Sequence, residues 1–213
     1  MEFTCPLPAS LTTVPNAACP ENLGQIQKFI FQRASAAWVF DSTGATSFLE
    51  AASWTPLIVA ADNTKIVISP YLDSVMIPSS EPITVGGGDN STLNGRQLVT
   101  AGTNPIITGE ERSASAEIIT AMQKLSQGED LVFYAINQFN QLIGRDNYPG
   151  HPGRNIVGIP LHALFQGDSG NEGFAKDDKA KLRFGVDYGW RTNLYIKKPN
   201  FNAKAVLVAA NET

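Results

Sequence analysis

Several groups of residues in this chain have types and spacings that chemistry uses. The run Gly86-Gly87-Gly88, followed by Asp89-Asn90-Ser91-Thr92, has the glycine density of a phosphate cradle. Such a cradle needs a strand, then G-x-x-x-x-G-K-[ST], then a helix that aims its amides at the anion. No Lys-Ser or Lys-Thr pair follows here, and a flexible loop is the expectation. A second group is Gly167-Asp168-Ser169-Gly170-Asn171-Glu172-Gly173, continued by Lys176-Asp177-Asp178. An EF-hand frame counted from Asp168 wants oxygen ligands at positions 3 and 5 and a Glu at 12. Position 3 is Gly170 and position 12 is Lys179, so the frame fails.

The same segment contains Gly-Asp-Ser-Gly, a string found around the nucleophile of chymotrypsin-like proteases. Nothing else in the chain supports that chemistry. His151 lies in the turn Pro149-Gly150-His151-Pro152-Gly153, and His162 is expected to be a hydrogen-bonded core or edge residue. Neither has an acidic or thiol partner at helical spacing, so no acid–base pair is nominated. Cys5 and Cys19 each precede a proline. Their spacing allows a disulfide that would stabilise by about 3 kcal/mol in the chain-entropy model. Glu2 and the early prolines do not make an export signal, which favours reduced thiols. With two Cys, two distant His and no C-x-x-C, a zinc site is not expected. The chain is read as having no active site, no cofactor and no metal.

Composition sets the wider bounds. Over 213 residues, 43% are hydrophobic and 17% charged, with 16 basic and 20 acidic side chains and a net charge of −4. That is enough apolar residue for a large core, and fewer charges than the usual quarter. The surface must then carry Asn, Gln, Ser, Thr and Gly, which suit wet subunit contacts. The longest basic cluster is the pair Lys197–Lys198, so no phosphate-tracking stripe is legible. The apolar run Leu57–Ala61, like every other in the chain, is far short of the ~20 residues of a spanning helix.

The elements that position these loops are mostly strands. Residues 1–22, with four prolines, read as an extended N-terminal arm. Residues 23–213 read as one β-rich domain, with long loops near 78–112 and 166–180. Gln25–Arg33 is a strand with Phe29 and Phe31 on one face and Ile26 and Ile30 on the other. Apolar residues on both faces predict cover from a core and from a partner. A short helix is expected from Ser47 to about Ser53, ending before Pro56. Lys65–Ser69 is a strand, and residues 78–96 are a loop.

Ser113–Gln127 is the main helix, capped by Ser113, with Ile118, Ala121, Met122 and Leu125 as its buried stripe and Gly128 at its end. In Asp130–Asn137, Leu131, Phe133 and Ala135 face one way and Val132, Tyr134 and Ile136 the other. Phe139-Asn140 turns the chain into Gln141–Gly144 as a hairpin. Asn155–Leu161, Lys181–Val186, Asn193–Lys197 and Ala203–Ala210 complete the strands. The sum is a mainly β (α+β) fold: an antiparallel β-sandwich or barrel of about seven strands with one packed helix.

Six stretches carry a resemblance when taken in order. They are Gly24–Arg33 (GQIQKFIFQR), Ala52–Leu57 (ASWTPL), Ile68–Tyr71 (ISPY), Gly86–Gly95 (GGGDNSTLNG), Asp168–Phe174 (DSGNEGF) and Gly189-Trp190. As a set they resemble virion structural proteins of tailed bacteriophages of Bacteroidota-type hosts, crAss-like phages among them. Most of the chain is covered. Within that group the layout is similar to tail-tube and tail-hub subunits. The resemblance implies a homo-oligomeric ring of the tail hub, tail tube or neck, assembled with other virion proteins in the host cytoplasm. DNA would pass through without specific binding, and no membrane is involved. Ring contacts are then expected at the N-terminal arm and at Phe29, Phe31, Gly86, Gly87, Gly88, Asp89, Asp168, Glu172 and Phe174. A capsid decoration or head-fibre protein is the alternative within the virion. Outside it, Trp38, Trp54 and Trp190 could serve a carbohydrate-binding β-sandwich as a sugar platform.

Overall fold

The computed structural model describes residues 22–44, 46–88, 95–112, 115–127, 130–147, 155–171, 173–174 and 177–208. At its centre is the run Leu131–Asn137, every residue of which is buried. A near-continuous run of apolar, β-favouring residues of this length makes it a strand with two covered faces. It pairs along one whole edge with Ile26–Arg33 and on the other edge with two strands in succession.

Thirteen strands occur among the described residues, more than the seven or so expected. We number them β1 (Ile26–Arg33), β2 (Phe40–Asp41), β3 (Val67–Ile68), β4 (Leu72–Met76), β5 (Pro82–Val85), β6 (Leu98–Gly102), β7 (Ile106–Arg112), β8 (Leu131–Asn137), β9 (Leu142–Asp146), β10 (Asn155–Val157), β11 (Ile159–Gln166), β12 (Lys179–Gly185) and β13 (Leu194–Lys197). The helices are α1 (Ala51–Val59), α2 (Ala116–Ser126) and the short α3 (Ala203–Val206). The fold is mainly β and antiparallel throughout its ladders, as the sequence predicts.

Six strands, β1-β8-β11-β12-β7-β4, pair in that order and curl so that β4 returns beside β1. Ser69, between β3 and β4, helps close the curl. Its N–H donates to the Phe29 carbonyl at 2.8 Å, and the Phe29 N–H donates to its hydroxyl at 2.9 Å. The sheet forks where β9 leaves β8, carrying β13 on one edge and β10 and then β2 on the other. Gly158 lies at the fork, between β10 and β11. A Cβ there would come within 2.5 Å of the Val132 side chain, so only glycine leaves that side chain room.

Two cores lie on opposite faces of β1 and β8. The inner one fills the curl with Phe29, Phe31, Phe133, Phe184, Ile107 and Leu182, and α2 adds Met122. Phe184 meets Phe29 edge-on at 5.0 Å and Phe133 at 5.1 Å, a favoured aromatic geometry. The outer core holds Ile30, Phe40, Phe48, Trp54, Tyr134 and Tyr195 under α1, the 40–49 segment, β13 and α3. Trp54 stacks on Phe40 at 4.4 Å.

Several local expectations are corrected. A bulge between Ile26 and Lys28 moves Ile26 to the inner core with Phe29 and Phe31, leaving Ile30 to the outer one. Both covers of β1 come from this same chain. Helix α1 starts later than expected and runs through Pro56. A mid-helix proline costs about 3 kcal/mol. Burying Trp54, ~200 Å² at 25 cal/mol/Å², contributes about 5 kcal/mol and outweighs it. Ser115 caps α2, its hydroxyl accepting from the Ile118 N–H, while Ser113 and Gly128 lie outside the described residues. On α2 the buried positions are Ile119 and Met122, with Ile118 and Leu125 half-buried and Ala121 exposed. The 203–206 stretch is helical, not a strand. Most consequentially, the expected 78–112 loop holds three strands, β5, β6 and β7.

Candidate assembly surfaces

Strands β5 and β6 form a two-stranded ribbon separate from the main sheet. Thr103 and Glu81 fasten its base. The Thr103 N–H donates to the Glu81 carbonyl, and the Glu81 N–H donates to the Thr103 hydroxyl, both at 2.8 Å. The Tyr188 ring packs against Gly102 at the same level, and the Tyr188 N–H donates to the Asn104 carboxamide oxygen at 2.9 Å.

The register decides which residues share a face. Ile83 opposes Ala101, Thr84 opposes Val99 and Val85 opposes Leu98, with Thr100 bulged between the pairs. Directly opposed residues point the same way. One face therefore carries Ile83, Val85, Leu98 and Ala101, and the other carries Thr84 and Val99. Ile83, Val85 and Leu98 are 44–56% exposed and Val99 is 70% exposed. Among the described residues neither strand pairs with any third. The ribbon thus offers open backbone edges as well as apolar side chains. Gly86, Gly87 and Gly88 follow β5 at the ribbon's far end, all with φ near +100° (93°, 111° and 107°), where other residues are strained.

The second projection is the β11–β12 hairpin. Beyond Gln166 the chain is still paired at Gly170 and Lys179, and the Asn171 side chain donates to Asp178 at 2.9 Å. Asp168 is exposed and accepts from the Gln123 amide of α2 at 2.7 Å. Arg112 pairs with Asp73 and stands 3.8 Å from Asp177. Phe174 at the tip is fully exposed. The acidic segment expected to be a loop is therefore a braced hairpin.

The ladder between β7 and β12 fixes where these projections stand. Arg112 opposes Lys179 at one end and Ile106 opposes Gly185 at the other. Seven rungs at ~3.3 Å give about 20 Å between the ends. The ribbon leaves from the Ile106 end, and the Phe174 hairpin extends from the Lys179 end. Beside the ribbon base, Leu23, Ile77, Pro78, Tyr188, Trp190 and Arg191 line a groove of about 320 Å³.

Of the expected contact residues, the structure brings Gly86, Gly87 and Gly88 to the ribbon end, and Asp168 and Phe174 to the opposite hairpin. Phe29 and Phe31 are corrected to core residues, with 1% and 0% of their surface left for a neighbour. Asp89 and Glu172 lie outside the described residues, as do Cys5, Cys19, His151 and all but the last residue of the expected 1–22 arm. The tryptophan platform does not form, because Trp54 is fully buried, Trp190 is nearly so, and only Trp38 is much exposed. His162 is exposed rather than core. Its ring packs over Gly185, and its Nδ1 lies 3.8 Å from Asp187.

The sequence reading missed the ribbon face and the groove. The alternating Pro-Ile-Thr-Val and Leu-Val-Thr segments flanking the glycine-rich stretch were the available signal for the ribbon. Among the described residues no three His, Cys, Asp or Glu side chains converge as metal ligands, and no helix is long and apolar enough to cross a membrane.

No family model matches the chain, and no curated protein matches it. Among solved structures it is similar to a chain described as the tail of an empty GTA particle with C6 symmetry. That likeness has a TM-score of 0.33 and 17% identity, over 59% of this chain and 81% of the other.

Proposed function

We propose that this protein is a structural, non-catalytic subunit of a tailed-phage virion, assembling into a homo-oligomeric ring of the tail hub, tail tube or neck. The free-standing ribbon carries the reading. An isolated two-stranded ribbon is marginal in water, and this one exposes Ile83, Val85, Leu98 and Val99 and, among the described residues, has no third strand on either edge. A neighbouring copy that covers the ribbon removes both costs, by burying the side chains and pairing an edge. The setting in a virion follows from the six stretches that resemble phage structural proteins.

A passage for DNA would have to lie between copies. The space inside the curl is filled by Phe29, Phe31, Phe133 and Phe184. A ring leaves such a passage on its axis, and a modestly acidic subunit would let DNA slide through without adhering. Negative-stain electron microscopy of the purified full chain, with sedimentation over a range of concentrations, tests the reading. Rings or stacked tubes are expected. Isolated monomers at the highest attainable concentration would count against it.

A further inference from the structure

We infer that the Phe174 hairpin of one copy seats in the groove formed by Leu23, Ile77, Pro78, Tyr188, Trp190 and Arg191 of the next copy. The inference deepens the ring reading and rests on it, naming the contact between successive copies along an axis.

Position comes first. The hairpin and the groove are at opposite ends of the same β7–β12 ladder, about 20 Å apart by its rise. Phe174 therefore cannot reach the groove of its own molecule. A contact between them joins two different surfaces on two copies, which makes it heterologous and able to propagate. Shape is the second argument. Phe174 is a fully exposed aromatic at the tip of a hairpin braced by Asn171–Asp178 and Gln123–Asp168. The groove, at about 320 Å³, is at the small end of sites that bury a compact apolar group, and Leu23, Ile77, Pro78 and Trp190 give it apolar walls.

Charge is the third. Over residues 168–179 the acids Asp168, Glu172, Asp177 and Asp178 outnumber Lys176 and Lys179, and Arg112 faces Asp177 from β7, while Arg191 stands at the groove. Acidic groups are present at this end too, but Asp187 is turned toward His162, and Glu81 sits at the ribbon base. The hairpin is net acidic and the groove rim carries the cation, so the two surfaces attract in this orientation and repel hairpin-to-hairpin.

The test uses the full chain carrying a photo-crosslinking phenylalanine analogue at position 174, with crosslinked peptides mapped after assembly. Crosslinks to Leu23, to residues 77–80 or to residues 188–191 of another copy are expected. Crosslinks to residues 1–21, to the ribbon or to no partner overturn the inference. In parallel, Phe174→Ala should weaken self-association at least tenfold by sedimentation without changing the thermal midpoint, because the Phe174 side chain is fully exposed. If Phe174→Ala assembles like the wild type while ribbon substitutions abolish assembly, the knob-in-groove contact falls and the ring reading stands. If the wild type never self-associates, both fall.

Discussion

Tyr134 lies in the outer core with no exposed surface, its hydroxyl donating to the Trp38 carbonyl at 3.1 Å. Burial pushes its phenol well above the ordinary value of 10.0. Above pH 10 the unfolded chain loses this proton and the folded chain keeps it, so stability present at lower pH is lost as pH rises. Tyr134→Phe should cost about 1 kcal/mol at pH 8 through the lost hydrogen bond. The gap between mutant and wild type should close as pH passes 10, because the phenylalanine has no proton to lose. Urea midpoints of both proteins at pH 8 and pH 11 check this, other ionisations cancelling in the difference. A gap that stays constant would contradict the buried phenol. Gly158 offers a steric counterpart. Gly158→Ala should destabilise by about 1–3 kcal/mol through the clash with Val132. Val132→Ala should recover much of that loss in a double-mutant cycle, since the two side chains would share one space.

At the level of elements, the ribbon separates stability from assembly. Replacing Leu98 with Thr and Val99 with Lys removes apolar side chains that are 56% and 70% exposed, so the monomer should change by no more than about 0.5 kcal/mol. Self-association measured by sedimentation should nevertheless be lost. A large drop in the melting temperature would mean that the ribbon packs on its own molecule. The same element shows where sequence reasoning reaches and where it stops. The two faces of β8 were legible to the residue, because both are buried and every position from Leu131 to Ile136 is apolar. The ribbon was not, because Gly86, Gly87 and Gly88 and the polar residues after them read as loop, although glycines with positive φ are what a ribbon end requires. Strand β7 was hidden differently. Its inward positions are Ile107, Gly109 and Glu111, and a buried carboxylate that accepts from Gln166 at 3.3 Å breaks the apolar alternation. The apolar residues on both faces of β1 announce two covers, but not that both come from this chain or that Ile26 joins Phe29 and Phe31. The second cover comes from residues 40–68 and 195–207, a long-range packing that no local pattern announces. Phe174 could be placed on a polar loop from sequence, whereas the groove could not. Its walls come from three separate segments, at Leu23, Ile77 and Trp190, with no shared motif.

For the whole molecule, what matters is that its two projections leave from opposite ends of one ladder. A protein whose contact surfaces coincide forms a closed isologous dimer, while one whose contacts differ and lie apart forms rings or open stacks. If the ribbon at the Ile106 end and the hairpin beyond Lys179 are the contact surfaces, as proposed above, this chain falls in the second group. Such an assembly has a consequence that separates it from a dimer. A copy that can receive a neighbour but cannot offer itself to one terminates growth wherever it is incorporated. Phe174→Ala is such a copy, since it keeps the groove and the ribbon and loses only the knob. Mixed as a minor fraction into wild-type protein, it should shorten stacks in electron micrographs progressively with its proportion, while the wild-type rings within them keep their diameter. In an isologous dimer the same mixture would only dilute the population of dimers, with no change in the size of any particle. A length distribution indifferent to the added variant would exclude a stack held by the hairpin, even if rings still formed through the ribbon.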